Sequence, residues 1–283
     1  MIECTHYLVR VKECKRMDPV TLIGVAFGVG MILFGAILEG GHLSSLIGPT
    51  AIIIVFGGTI GATMACYSMK ELKNLLSATM TAFKAPSVAL TDIYEIFGEL
   101  AVLARREGIL VLENHPIPVN SELLKRGVHL VVDGTDPNLL KDMLSTQLAT
   151  NEVRTKNMAS VWATAGGFAP TIGIIGTVLG LIHVLGNLSE PDKLGGAIAV
   201  AFLATLYGVA SANLVYLPLS KKMAFLGKNE TLIGLVVIEG LVSIQSGDTP
   251  RVVQEKLKCY IEEQEWPALE AKAQQKQANP AAA

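Results

Sequence analysis

The stretch Phe168-Ala169-Pro170-Thr171-Ile172-Gly173-Ile174-Ile175-Gly176-Thr177-Val178-Leu179-Gly180-Leu181 contains no charged residue. It lies inside a longer apolar run, from about Val161 to Leu185. A run of this length crosses the hydrocarbon core of a bilayer as a helix, which takes about 20 apolar residues. Three more runs meet the same test, at residues 20–38, 46–66 and 197–217. Backbone groups in lipid must be satisfied by helix or closed barrel, and the alternating ten-residue pattern of a barrel is absent. The expected fold is therefore all-α, a polytopic membrane protein with four transmembrane helices and a helical cytoplasmic domain.

Composition agrees with that reading. The chain is 51% hydrophobic and 17% charged, against about 25% charged residues in a soluble domain. A net charge of −2 argues against a nucleic-acid partner. Cys4, Cys14, Cys66 and Cys259 form no CxxC pair and no metal-ligand spacing. None falls in an outward loop under the topology below, so no disulfide is expected. Arg10, Lys12, Lys15 and Arg16 precede the first run, as in a signal peptide. That run exceeds the usual 7–15 apolar residues and lacks a clean cleavage site, which makes it a retained span. Met17 is an alternative start, with residues 1–16 then an upstream extension.

Lysine and arginine in the flanks set the orientation. The loop 39–45 has neither, and the loop after the third span has Lys193 beside Glu190 and Asp192. Lys70, Lys73, Arg154, Lys156, Lys221 and Lys222 all fall on the other side. Both termini are thus expected in the cytoplasm of a cell with its inner membrane crossed four times. Residues 1–19 form a cytoplasmic N-terminal segment, 67–157 the helical domain, and 218–270 C-terminal helices. Residues 271–283, rich in Gln and Ala, read as a disordered tail.

Within 67–157, Ile93, Ile96, Phe97, Leu100 and Leu103 recur at helical spacing in a segment opened by Pro86-Ser87. Asp136-Pro137 is a helix start, with Asp as N-cap and Pro first in the helix. Leu140, Leu144 and Leu148 line one face of that helix, which no breaker separates from the third span. Leu232 to Ile244 is apolar but too short to span and contains Glu239, so it reads as a cytoplasmic helix packed on the loop domain. Arg105, Arg106 and Glu113 are grouped in Ala104-Arg-Arg-Glu-Gly-Ile-Leu-Val-Leu-Glu113. A helix persisting through Gly108 would put Arg106 and Glu113 on one face.

Small residues mark the last two spans. Gly166, Pro170, Gly173, Thr177 and Gly180 lie four, three, four and three apart, along one helical stripe. Ala201, Thr205, Gly208 and Ala212 do the same in the fourth span. Glycine and alanine at this spacing let helices approach closely. Thr177 and Thr205 each lie about ten residues in from the outer end of their span. Antiparallel helices would hold them at equal depth, roughly 15 Å below the outer face. There they serve either packing or a polar path. Gly24-Val-Ala-Phe-Gly28-Val-Gly30 lies inside a span and lacks the strand and Lys-Ser/Thr of a phosphate loop. Histidines 6, 42, 115, 129 and 183 are scattered, and no nucleophile–base set or metal cluster is apparent. No catalytic residue, metal or cofactor is expected, and no enzyme activity. None of the spans contains Asp, Glu, Lys or Arg. Ion pathways through membranes ordinarily use such groups, so an ion-handling role requires a carboxylate from another chain.

Taken together these residues resemble the flagellar stator family MotA/PomA, from Met17 to about Trp266. Phe168 to Leu181 looks like the family's third-span signature, and Ala204-Thr205-Leu-Tyr-Gly-Val-Ala-Ser-Ala-Asn213, leading to Leu217-Pro218, like its fourth. The resemblance implies a homopentamer around two copies of a MotB/PomB-like single-span protein, which supplies an ion-binding Asp and a peptidoglycan anchor. Flow of H+ or Na+ would turn the ring against the rotor protein FliG. Arg105 and Glu113, with Arg106 adjacent, match the family's rotor-facing charges. Pro170 and Pro218 match its two intramembrane prolines, and a proline removes a helix hydrogen bond where a hinge is useful. Threonines matching Thr177 and Thr205 occur in sodium-type members and in some proton-type ones, which leaves the ion open. The alternative is an ExbB/TolQ-like energiser of outer-membrane processes. That family usually has three spans with its amino terminus outside, and four spans argue against it.

Overall fold

The computed structural model describes residues 19–82, 88–117, 119, 121–186, 191–267 and 269. The basic segment before Met17, Cys4 and Cys14, the Pro86-Ser87 helix start, Glu190 and the Gln/Ala tail lie outside the described residues. Every regular element among the described residues is helical. In chain order they are α1 (Pro19–Leu38), a 3-10 turn Leu43–Leu46, and α2 (residues 49–66). The last runs through Pro49–Ile52, a π turn Ile53–Gly57 and Gly58–Cys66. There follow α3 (Met69–Ala82), α4 (Leu90–Glu107), a 3-10 turn Ile109–Glu113, α5 (Glu122–Val132) and α6 (Pro137–Gly186). Next, α7 (residues 191–245) joins Pro191–Ser211, a π turn Ala212–Tyr216 and Leu217–Gln245, and α8 is Pro250–Lys258. Helices α1, α2, α6 and α7 are long and apolar enough to cross a membrane.

The chain divides into two compact units. One takes in Pro86–Val153 and Gly227–Ala283, the other Arg16–Ala85 and Arg154–Leu226. The core of the first is built by the faces that the apolar periodicity picks out. Ile93, Phe97 and Leu100 of α4 meet Leu124 and Val131 of α5, Leu140 and Leu144 of α6, and Val237 and Leu241 of α7. Each is nearly or fully buried, and burial of such a side chain contributes about 1.5–3 kcal/mol. Asp136 caps α6 as its sequence position predicts. Its Oδ1 accepts from the N–H of Asn138 at 2.9 Å and of Leu139 at 3.3 Å, groups a helix start leaves without partners.

Leu232–Ile244 is the end of the continuous helix Leu217–Gln245, since nothing between Leu217 and Gln245 breaks the helix. Its Val236, Val237, Leu241 and Ile244 still pack in the first unit's core. The terminal helix α8 is fastened to it by Lys256, whose Nζ donates to Asp248 Oδ2 at 2.7 Å and Ser243 Oγ at 3.0 Å. The Lys256 hydrogen bond holds the Asp248 carboxyl below the usual carboxylate range.

Helix α3, expected within the helical domain of 67–157, groups instead with the spans. Ser68 and Glu71 form a reciprocal cap at its start, Glu71 Oε2 accepting from Ser68 N and Oγ at 3.0 and 2.9 Å. Further along, Trp162 Nε1 donates to Thr79 Oγ1 at 2.9 Å. Ala78 joins the small cluster of Ala159 and Met223. An indole N–H buried beside apolar surface needs an acceptor, and Thr79 supplies it.

Candidate functional site

Helices α6 and α7 run antiparallel at backbone contact. A Cβ added at Gly208 would stand 2.4 Å from the Ala169 carbonyl oxygen, and one at Gly173 2.8 Å from that of Ala204. Neither position admits a side chain without moving a helix. Further along the stripe, a Cβ at Gly180 would meet Ala201, and one at Gly166 would meet Leu217. The structure thus brings Gly166, Gly173, Gly180, Ala201 and Gly208 to one crossing. Ala212 is fully buried but begins the π turn.

The two threonines meet. Thr177 Oγ1 lies 2.5 Å from Thr205 Oγ1, 3.0 Å from the Ala201 carbonyl oxygen and 3.2 Å from that of Gly173. Both hydroxyls are half-buried. Two hydroxyl oxygens and two carbonyl oxygens therefore converge at one level of an otherwise apolar pair of helices. Oxygen clusters of this kind suit a hard cation or a proton carrier rather than a soft metal.

Sequence reasoning missed what fixes that level. Tyr207 OH donates to the Leu46 carbonyl and accepts the Gly48 N–H at 3.0 Å, tying the chain just before α2 to α7. Gly48 also lies against Leu203. Thr205, two residues before Tyr207, is only about 3 Å of helix away. An aromatic hydroxyl in the middle of an uncharged span was the available signal, since a buried phenol requires a partner.

The prolines sit apart. Pro170 is inside α6, next to Ala169 at the Gly208 crossing, and its missing N–H leaves the Gly166 carbonyl without its helical donor. Pro218 comes two residues after the π turn Ala212–Tyr216, a widened turn of the kind that absorbs a missing helical bond. It is level with the Trp162–Tyr216 ring stack, centroids 5.8 Å apart, and with the bond from Ser220 Oγ to the Ala159 carbonyl at 2.8 Å.

In the other unit, Arg105, Arg106 and Glu113 are all exposed. The shared helical face expected for Arg106 and Glu113 is not formed. Helix α4 ends at Glu107, because Gly108 adopts φ +92° and ψ 162°, a conformation that glycine tolerates and other residues resist. Glu113 instead ends the following 3-10 turn, which is anchored by the buried Leu112. The charges thus lie on two successive elements.

Comparisons with known proteins cover nearly all of this architecture. The MotA/TolQ/ExbB proton channel family model matches residues 118–235, and the motility protein A N-terminal model matches residues 22–108. Motility protein A of Bacillus subtilis (strain 168) is 34% identical over 246 residues, 87% of this chain and 91% of that protein. Chemotaxis protein PomA of Vibrio alginolyticus is 32% identical over 247 residues, 87% of this chain and 96% of that one. The structure of the flagellar MotAB stator complex from Bacillus subtilis superposes with a TM-score of 0.83 at 33% identity, covering 88% of this chain and 98% of that chain.

Proposed function

From a chain that belongs to the MotA/TolQ/ExbB proton channel family, in its motility protein A branch, we propose the following division of labour. The protein is a flagellar motor stator subunit that spans the membrane several times. A MotB-like single-span partner supplies the acid, because the spans hold no Asp, Glu, Lys or Arg of their own. That absence is the observation that carries the reading. The match of residues 22–108 to the motility N-terminal model favours it over an ExbB/TolQ-like energiser.

Five copies surround two partner helices in the inner membrane, with both ends of this chain in the cytoplasm. The partner's Asp takes the ion, H+ or Na+, and Thr177 with Thr205 lies on the path. Pro170 and Pro218 are the points at which α6 and α7 yield when the acid changes charge. The patch of Arg105, Arg106 and Glu113 faces the rotor protein FliG. The exposure of all three side chains supports this assignment, since charge pairs at a rim steer association without holding up the fold.

Charge reversal tests the rotor face. Arg105→Glu or Glu113→Lys is expected to cut torque on tethered cells several-fold while leaving the chain in the membrane at normal level, because neither side chain contributes to the core. Normal torque in both variants would remove the rotor assignment.

A further inference from the structure

Between α2 and α6 lies a seam rich in hydroxyls that the charge search passed over. Thr59 and Thr63 are four residues apart on one face of α2, and Tyr67 is the extended residue that follows the helix. The side chains of Thr59 and Thr63 are 1% and 7% exposed. Thr63 Oγ1 donates to the Thr59 carbonyl at 2.7 Å. Tyr67 OH lies 2.7 Å from Thr164 Oγ1 and 3.2 Å from Ser160 Oγ, both on α6. Ser160 gives its own proton to the Asn157 carbonyl at 2.7 Å. Ser160 is therefore an acceptor toward Tyr67, and the Tyr67 and Thr164 hydroxyls share one hydrogen bond.

Thr59 is the exception. Its Oγ1 is buried and has no hydrogen-bond partner. A helical threonine normally donates to the carbonyl four residues back, here Val55. Val55 lies in the π turn Ile53–Gly57, where the widened register carries that carbonyl away from its helical position. A buried hydroxyl left unsatisfied costs about 1–3 kcal/mol, and a purely packing role would be met by valine. The seam also has a spare acceptor, since Thr63 has committed its proton to the Thr59 carbonyl. One free donor and one free acceptor a helical turn apart meet the lower bound for a bound water, which takes two to four polar partners.

We propose that the Thr59–Tyr67 seam of α2 against α6 is a hydrated site that takes one or more water molecules. They are held by Thr59 Oγ1 and Thr63 Oγ1, and the site is closed toward residue 67 by the Tyr67–Thr164 contact. The proposal stands on the seam's own geometry and is independent of the ion assignment at Thr177 and Thr205.

The test uses the full chain with its partner in native membranes, the four cysteines first replaced by serine. Thr59→Cys is expected to react with a small methanethiosulfonate reagent about tenfold or more faster than Ala51→Cys, because Ala51 lies on the same face in a dry apolar cluster. Equal rates at the two positions would overturn the proposal. Thr59→Val provides a second readout that does not depend on labelling. A hydrated site loses an anchor, and the melting temperature stays level or falls. A dry seam loses an unsatisfied hydroxyl, and a rise in melting temperature would overturn the proposal.

Discussion

Replacing Gly208 with valine is expected to abolish torque and to lower the amount of chain in the membrane. An added Cβ alone would stand 2.4 Å from the Ala169 carbonyl oxygen, backbone rather than the flexible end of a side chain. No rotamer change relieves such a contact, so α6 and α7 must separate. Overpacking of this kind costs on the order of 1–3 kcal/mol for small additions, and valine adds two more methyl groups. Separation also breaks the Thr177–Thr205 contact, because those residues lie on the same crossing. Gly24→Ala is the matched control, since nothing lies within 4 Å of its added Cβ. Immunoblots of membrane fractions, together with tethered-cell rotation, check both. Normal rotation in Gly208→Val would mean that the two helices do not meet as described.

The second large effect is expected from the hydroxyl pair. Thr177→Val with Thr205→Val keeps shape and volume while removing both oxygens. Replacing both partners of a hydrogen bond by apolar groups of the same shape is close to neutral for stability, and hydrogen bonds between membrane helices average only about 0.6 kcal/mol. The double variant should therefore assemble at normal level yet lose most of its torque. The single variant Thr177→Val should assemble less well than the double, because it leaves Thr205 without its hydroxyl partner. Swimming speed against sodium at fixed proton-motive force then separates the ions. A rising response in the unmodified protein that flattens in the variant assigns sodium to this pair; a flat response throughout assigns the current to protons. Full torque in the double variant would reduce the pair to packing.

Much of this architecture was legible in the residues. Uncharged runs of about twenty residues permit one reading, because lipid forbids unsatisfied backbone. Asp136-Pro137 marks the start of α6 for local reasons that tertiary packing has no cause to override. The meeting of Thr177 with Thr205 follows from counting along two antiparallel helices. What failed had different causes. The face shared by Arg106 and Glu113 assumed helix through Gly108, and a single positive φ ended it. Placing α3 in the helical domain treated the end of α2 as a boundary, whereas Trp162 and Thr79 join α3 to the spans. The Tyr207 tether to Leu46 and Gly48 joins residues about 160 apart in sequence, which no local pattern announces. Thr59, Thr63 and Tyr67 escaped notice because hydroxyls are common in spans. Only burial distinguishes a partnered hydroxyl from one in need of a partner.

All of this rests on the chain being a torque-generating wall of the motor. The direct measurement is rotation of single flagellar filaments, followed by attached beads in a strain lacking this chain and again after its re-expression. The account predicts assembled filaments that stand still without the chain and resume turning when it returns. Filaments that turn at full speed in its absence would contradict it.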